Sequence, residues 1–195
     1  SHSLSPRVHG YWLMEHAIDG AYLPLPVSPD NLGRALRALP ALGFCGVNLT
    51  VPHKETALSI VDNIDDIARR IGAVNTILVS SEGALSGTNT DAEGFMENVL
   101  LNASPWRPRD GKAVVLGAGG AARAAALGLV DAGCPAVIVL NRTLNKAAAL
   151  ADHIGGPIEV GQWSERNEAL DGAAILVNTT TLGMTGQPSL KIDLR

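Results

Sequence analysis

Glycine spacing supplies the clearest chemical signal in this sequence, in the segment Gly117-Ala-Gly-Gly-Ala-Ala122. Gly117 permits a tight turn, Gly119 lets the backbone approach a diphosphate closely, and the small Ala122 allows a helix to pack against a strand. The phosphates would then accept hydrogen bonds from the unpaired N–H groups at the N-terminus of that helix. Because glycine also marks ordinary turns, the flanking elements decide between the two interpretations.

Those flanking elements favour a dinucleotide site. Ala113 to Leu116 is an apolar run typical of a buried parallel strand, and Ala136 to Leu140 is a second one. An alanine-rich helix that ends near Gly133 lies between them. Strand, glycine turn, helix and strand within about 30 residues form the βαβ unit that binds a dinucleotide. The predicted cofactor-binding residues of the turn are Gly117, Ala118, Gly119, Gly120 and Ala121.

The residues that follow the second strand indicate which dinucleotide binds. An NAD site usually carries Asp or Glu there, whereas this chain has Asn141-Arg142-Thr143, then Lys146, and no acidic residue before Asp152. Arg142 and Lys146 could grip a 2′-phosphate, and Thr143 could hydrogen-bond it. The alternative is a solvated basic helix start, but cations are unfavourable at a helix N-terminus unless an anion neutralises them. The predicted cofactor is NADP(H).

A second set of polar side chains converges in the amino-terminal half. Alternating apolar and polar residues from Val47 to Thr50 predict a strand with one polar face. We expect Pro52 to begin a helix that carries Lys54 in its first turn. A solvated loop would explain any one of Asn48, Thr50 and Lys54, but the three together predict a functional site.

Ser5 and Asp91 each have a structural explanation. Ser5 precedes Pro6, and this order is typical of an N-cap followed by the first helical residue. Capping accounts fully for Ser5, but Ser3 is free to present its hydroxyl. Asp91 precedes a helix predicted from Ala92 to about residue 102, and capping is the default interpretation of an isolated Asp.

Composition excludes several classes of protein. The 195 residues are 46% hydrophobic and 17% charged, which fits a globular protein with an apolar core, and the net charge of −4 argues against non-specific nucleic-acid binding. No apolar run approaches the length of a membrane span, and no signal peptide is visible. The five histidines lack metal-ligand spacing. Cys45 and Cys134 are predicted to be small buried residues in a reducing, cytoplasmic compartment.

Six short motifs, spaced across nearly the whole chain, resemble those of the shikimate dehydrogenase family. They are Ser3-Leu-Ser5-Pro6, Asn48-Leu-Thr50-Val-Pro52-His-Lys54, Gly72-Ala-Val-Asn75-Thr76, Asn89-Thr-Asp91, Gly117-Ala-Gly-Gly-Ala121 and Asn141-Arg-Thr143. The resemblance implies a two-domain α/β protein, and the proline- and glycine-containing segment near residue 103 is the predicted boundary. Residues 1–103 would form the substrate-binding and catalytic domain, and residues 104–195 a Rossmann-like NADP-binding domain with a parallel sheet.

The resemblance also implies an activity. It is the reversible, NADP-dependent reduction of 3-dehydroshikimate to shikimate in aromatic amino acid (chorismate) biosynthesis. Lys54 and Asp91 would be the catalytic pair, and Asp66 matches a position associated with the nicotinamide end of the cofactor. Hydride transfer to a ketone builds alkoxide charge, which Lys54 can stabilise while Asp91 holds Lys54 and orients a hydroxyl. The substrate's carboxylate and hydroxyls would be bound by Ser3, Ser5, Thr50, Lys54, Asn75 and Asp91.

Two alternative functions stay open. An NAD-dependent quinate or quinate/shikimate dehydrogenase is one, and Arg142 and the paired serines argue against it. A nucleotide-binding regulatory module without turnover is the other, and the retention of both Lys54 and Asp91 argues against it. We expect a small-molecule substrate, no nucleic-acid or membrane partner, and a monomer or homodimer. Compared with the family, the chain is expected to be truncated at both ends, and Lys146 stands where many members have Arg.

Overall fold

Two four-stranded sheets, built from separate halves of the chain, organise the computed structural model, which describes residues 3–103 and 105–194. The first half contains α1 (Ser5–Glu15), α2 (Leu32–Ala38), β1 (Gly46–Asn48), β2 (Asn63–Ile64), α3 (Asp66–Ile71), β3 (Thr76–Val79) and β4 (Leu85–Thr88). The second half follows α4 (Asp91–Asn102) and contains β5 (Lys112–Leu116), α5 (Gly120–Asp131), β6 (Val137–Asn141), α6 (Leu144–Ile154), β7 (Ile158–Gln162) and β8 (Ala173–Asn178). None of the helices in these ranges has the length and apolar character that crossing a membrane would require.

The first sheet has the strand order β1-β3-β4-β2, with β2 parallel to β4 and the other neighbours antiparallel. Ile77 and Leu85 are fully buried between this sheet and α2. The predicted helix at Pro52 is wrong. The chain makes turns from residue 51 to 55, with a cis Val51–Pro52 bond, and a short 3₁₀ helix begins only at Thr56. The carbonyl of Lys54 instead accepts from the N–H of Val74 at 2.8 Å.

The second sheet is entirely parallel, with the order β7-β6-β5-β8. Residues 113–116 of β5 are fully buried, because β6 and β8 flank the strand and other elements pack on both faces of the sheet. The chain passes from β7 at one edge to β8 on the far side of β5, so the strand order reverses at β5. Open α/β sheets bind their ligands in the crevice at such a switch point.

Helices α4, α5 and α3 join the two halves. Gly128 of α5 allows the approach of α4, because a Cβ there would lie 2.7 Å from Cγ of Met96. Arg70 of α3 donates two hydrogen bonds, of 2.7 and 3.0 Å, to the carboxylate of Asp131 of α5. The end of α3 is also held by α6, since a ring nitrogen of His153 lies 2.9 Å from the carbonyl oxygen of Arg69.

The cysteine prediction is half right. Cys134 is buried, and this burial raises the pKa of its thiol. Cys45 is exposed, so the prediction that it is buried is wrong. Cys45 immediately precedes β1, a strand at the edge of its sheet, where less structure covers the chain.

Asp62 ties α2 to the first sheet. Its carboxylate accepts from the N–H of Leu85 at 2.8 Å and from the guanidinium of Arg37 at 2.7 Å. The hydrogen bond from the Leu85 N–H has the largest effect on the Asp62 carboxyl, and the one from the Arg37 guanidinium has the second largest. Together they hold the pKa of Asp62 below its usual range. Because the folded-state pKa lies below the unfolded one, the ionised carboxylate stabilises the fold above about pH 4. That stabilisation is lost as the pH falls through the folded-state pKa.

We expect Asp62→Asn to lower the melting temperature at neutral pH, and the difference from wild type to shrink as the pH falls below about 4. Thermal unfolding followed by circular dichroism at a series of pH values measures both. Asp19→Asn, in an exposed loop, changes the net charge equally and is the control. A difference in melting temperature that is the same at all pH values would contradict this account of Asp62.

Candidate active site

Lys54 and Asp91 meet although 37 positions separate them in the chain. Nζ of Lys54 donates to Oδ2 of Asp91 at 2.5 Å, and the two side chains are 17% and 29% exposed. Asp91 is the first residue of α4, where the helix dipole stabilises its charge, and its N–H donates to Oδ1 of Asn89 at 2.9 Å. Thr90, not Asp91, occupies the N-cap position. A half-buried ammonium held in this way can stabilise oxygen charge or deliver a proton.

Asn75 anchors the other oxygen of the Asp91 carboxylate. Its Nδ2 donates to Oδ1 of Asp91 at 2.8 Å and to Oγ1 of Thr90 at 3.0 Å. Its Oδ1 accepts from the hydroxyl of Thr76 at 2.8 Å and from the N–H of Thr90 at 3.2 Å. An Asn side chain has two N–H donors and accepts two hydrogen bonds at its oxygen, so its capacity is used within the protein. Asn75, 7% exposed, therefore orients Asp91 in this structure, and its predicted direct contact with substrate stays a prediction.

The other predicted substrate residues lie further from this pair. Thr50 is exposed and belongs to the same loop as Lys54. Ser3 and Ser5 lie at the start of α1, where Ser3 Oγ accepts from the N–H of Ser5 at 3.3 Å. Leu4 rather than Ser5 is the N-cap residue of α1, so the capping prediction for Ser5 is wrong. The Ser3 hydroxyl, which was expected to be free, is the acceptor for the Ser5 N–H. No contact among the described residues joins either serine to Lys54.

The glycine turn has the geometry that a diphosphate site needs. Gly117 has a φ of 112°, and a Cβ there would lie 2.5 Å from Oγ1 of Thr179. A Cβ on Gly119, the N-cap of α5, would meet nothing within 4 Å, so its backbone faces open space. A Cβ on Gly120 would lie 3.4 Å from Cδ of Lys54. The proposed phosphate turn thus packs directly against the lysine of the ion pair.

A cleft of about 480 Å³ opens beside this turn. Arg142 and Lys146 are exposed there, and neither belongs to an ion pair within the described part of the chain. Asn141 shapes the turn that carries them, since its Nδ2 donates to the carbonyl of Thr143 at 2.9 Å. Two exposed cations and a threonine suit a 2′-phosphate. The predicted cofactor residues that line the cleft are Ala118, Gly119, Asn141, Arg142, Thr143 and Lys146.

Four residues of this cleft were missed by sequence reasoning, namely Glu55, Arg123, Asn145 and Ala149. Glu55, next to Lys54, lines it from the first half of the chain, and Arg123 lines it from the first turn of α5. Arg123 Nη1 donates to the carbonyl of Ile71 at 3.4 Å, while its buried Nε has no partner among the described residues. The position of Arg123 in the first turn of the helix after the glycines could have indicated an anion site, because a cation is unfavourable at a helix N-terminus unless an anion neutralises it.

Asp66 was predicted to contact the cofactor near its nicotinamide end. It is the first residue of α3 and is exposed. The preceding Asp65 caps this helix, since its carboxylate accepts from the N–H of Ala68 at 2.7 Å. Asp66 does not line the cleft, so its contact with the cofactor stays a prediction.

Comparison with known proteins connects these features. A family model described as the shikimate dehydrogenase substrate binding domain matches residues 1–77, and one described as shikimate / quinate 5-dehydrogenase matches residues 103–184. The curated shikimate dehydrogenase (NADP(+)) of Paramagnetospirillum magneticum is 57% identical over 194 residues, which cover 100% of this chain and 70% of that protein. This chain belongs to the shikimate dehydrogenase family.

Solved structures related to the shikimate dehydrogenase family share the fold. Shikimate 5-dehydrogenase from Thermus thermophilus, in complex with NADP(H) and shikimate, matches with a TM-score of 0.81 and 42% identity over 94% of this chain and 66% of that one. Quinate dehydrogenase from Corynebacterium glutamicum, in complex with NAD, matches with a TM-score of 0.88 and 28% identity over 99% of this chain and 71% of that one. The predicted family and the two-domain α/β fold class, with its Rossmann-like second domain, are confirmed.

Proposed function

We infer that this protein is an NADP-dependent shikimate dehydrogenase, which reversibly reduces 3-dehydroshikimate to shikimate in aromatic amino acid biosynthesis. The observation that carries this inference is the Lys54–Asp91 ion pair packed against Gly120 of the dinucleotide turn. It brings a proton-handling pair next to the cofactor loop, which hydride transfer to a ketone requires. The 57% identical relative named for this reaction supports it.

The cofactor, when bound, supplies or accepts the hydride. We propose that Lys54 donates to the carbonyl oxygen as alkoxide charge develops there, and that it holds the corresponding hydroxyl in the reverse direction. The Asp91 carboxylate fixes Lys54 through Oδ2 and is fixed itself through Oδ1. Each carboxylate oxygen has a further lone pair with which it could accept from a substrate hydroxyl.

The remaining assignments are proposals of the same kind. Ser3, Ser5 and Thr50 would bind the carboxylate and hydroxyls of the substrate, because their side chains lie at or near the surface of the first half. Residues 1–103 would form the substrate domain and residues 104–195 the NADP domain. The free thiols of Cys45 and Cys134 support a reducing, cytoplasmic compartment. The proposed oligomeric state is a monomer or homodimer.

The test is a comparison of shikimate and quinate, each with NADP⁺ and with NAD⁺, in which the reduced nicotinamide is followed by its absorbance. We expect the highest kcat/KM with shikimate and NADP⁺. Quinate oxidation is the second candidate function, because the chain is similar to a quinate dehydrogenase that was solved in complex with NAD. A preference for quinate and NAD⁺ would establish it. Tight binding of NADP⁺ without turnover of either substrate would overturn both.

A further inference from the structure

A chain of side-chain hydrogen bonds runs from the surface to the Asp91 carboxylate. The hydroxyl of Tyr22 donates to Oδ1 of Asn48 at 3.1 Å, and Nδ2 of Asn48 donates to Oγ1 of Thr76 at 3.0 Å. The Thr76 hydroxyl donates to Oδ1 of Asn75 at 2.8 Å. Nδ2 of Asn75 then donates to Oδ1 of Asp91 at 2.8 Å. Each member donates towards the carboxylate, where the chain ends.

We propose that Thr76 is a positioning residue of this dehydrogenase, whose hydroxyl fixes the Asn75 amide in the orientation that donates to Asp91. The proposal rests on the proposed function, because it assigns Thr76 a role through the Lys54–Asp91 pair. Thr76 has no contact with either member of that pair among those described. It acts through Asn75.

The Asn48 amide, which donates to the Thr76 hydroxyl, determines the direction in which this hydroxyl donates. The Asn48 amide nitrogen that faces it can only donate, so it occupies a lone pair of Oγ1 and leaves the single Thr76 proton for Asn75. The atom of Asn75 that faces both this proton and the N–H of Thr90 must therefore be the oxygen. The amide nitrogen is consequently turned towards Asp91.

A flipped Asn75 amide would turn an oxygen towards the Asp91 carboxylate. Two acceptors would then face each other in a half-buried site, which costs the hydrogen bond and leaves both groups without a donor. Relief of that contact would require the carboxylate to rotate away, and Lys54 is bonded to the same carboxylate at 2.5 Å. The orientation of the Asn75 amide therefore controls the position of the lysine.

Strand register explains why these side chains meet. Asn48 and Thr76 are opposite one another in the antiparallel pair β1–β3, so their side chains project on the same face at neighbouring positions. The carbonyl of Asn75 accepts from the N–H of Leu49 at 2.7 Å, which continues the pairing of the two segments. The same sheet that carries the loop of Lys54 thus holds the groups that orient its partner.

Thr76→Val tests the proposal because it preserves the shape of the side chain and removes the hydroxyl. We expect its kcat for shikimate to fall about 10-fold, which corresponds to one lost hydrogen bond to a charged network. Thr76→Ser retains the hydroxyl and should stay within about twofold of wild type. Fluorescence titration should show unchanged affinity for NADP⁺ in both variants, because neither Thr76 nor Asn75 lines the cofactor cleft.

Ser86→Ala is the matched control for loss of a hydroxyl in the same sheet. Ser86 lies on β4, and its Oγ accepts from Asn63. The Ser86→Ala variant should have a lower melting temperature than wild type and an unchanged kcat. An unchanged kcat in Thr76→Val would overturn the proposal, as would a Thr76→Ser variant as slow as Thr76→Val, since packing rather than the hydroxyl would then be responsible.

A second measurement does not depend on turnover. The side-chain amide protons of Asn75, assigned by NMR, should exchange slowly in wild type and Thr76→Ser and faster in Thr76→Val. If wild type failed to oxidise shikimate, the proposed function would fail, while this exchange pattern would still support the positioning of Asn75 by Thr76. Equal exchange in all three proteins would overturn the positioning inference even in an active enzyme.

Discussion

Lys54→Met is expected to slow shikimate oxidation about a thousandfold while the protein stays folded and still binds NADP⁺. Methionine retains an unbranched, apolar stem, so the contact with the backbone at Gly120 can be kept. The change removes the ammonium that would stabilise the alkoxide and carry the proton. Asp91 keeps its bond to Asn75 and its place at the start of α4, so we expect only a small loss of stability.

Steady-state kinetics, NADP⁺ titration and thermal unfolding of the same preparations separate these effects. Lys191→Met removes a charge from an exposed position and is the control. It should leave kcat, the affinity for NADP⁺ and the melting temperature unchanged. Asp91→Asn should also be severely impaired, and the double variant should be little worse than Lys54→Met alone, because residues that act as a unit are not additive. Turnover by Lys54→Met at the wild-type rate would remove Lys54 from the mechanism.

Local patterns were sufficient to predict the nucleotide half of this protein. The buried strands, the glycine turn and the alanine-rich helix each have a strong local signal, and a right-handed βαβ crossover leaves little freedom in how they assemble. The cleft then contains the residues expected for it, because Gly119 and Arg142 follow neighbouring parallel strands and such loops meet at one edge of a sheet.

The ion pair and its supports depend on contacts that local patterns do not contain. Lys54 was predicted in the first turn of a helix, but its carbonyl pairs with Val74 and the segment turns instead. The meeting of Lys54 with Asp91 was expected from a family resemblance and not from the residues themselves. Asn48 and Thr76 meet only because of a particular strand register. Hydrophobic alternation predicts which face a residue takes but not its partner across the sheet.

Arg142→Ala is expected to raise KM for NADP⁺ about 50-fold and to leave KM for NAD⁺ within about twofold of wild type. The guanidinium is exposed in the cleft and has no ion-pair partner within the described residues, so its charge is available to a 2′-phosphate. NAD⁺ lacks that phosphate, so its KM should not depend on the arginine. Kinetics with each cofactor at saturating shikimate measure the two effects.

Arg142→Lys separates charge from geometry at the same position. Lysine keeps the positive charge but cannot donate two parallel hydrogen bonds to a phosphate, so an intermediate KM for NADP⁺ is expected. Lys146→Ala should have the smaller effect of the two alanine variants, because its ammonium is a point charge on a flexible stem. If KM for NADP⁺ were unchanged in Arg142→Ala, another group would recognise the 2′-phosphate. Arg123, which lines the same cleft and whose buried Nε has no partner among the described residues, would be the next residue to replace.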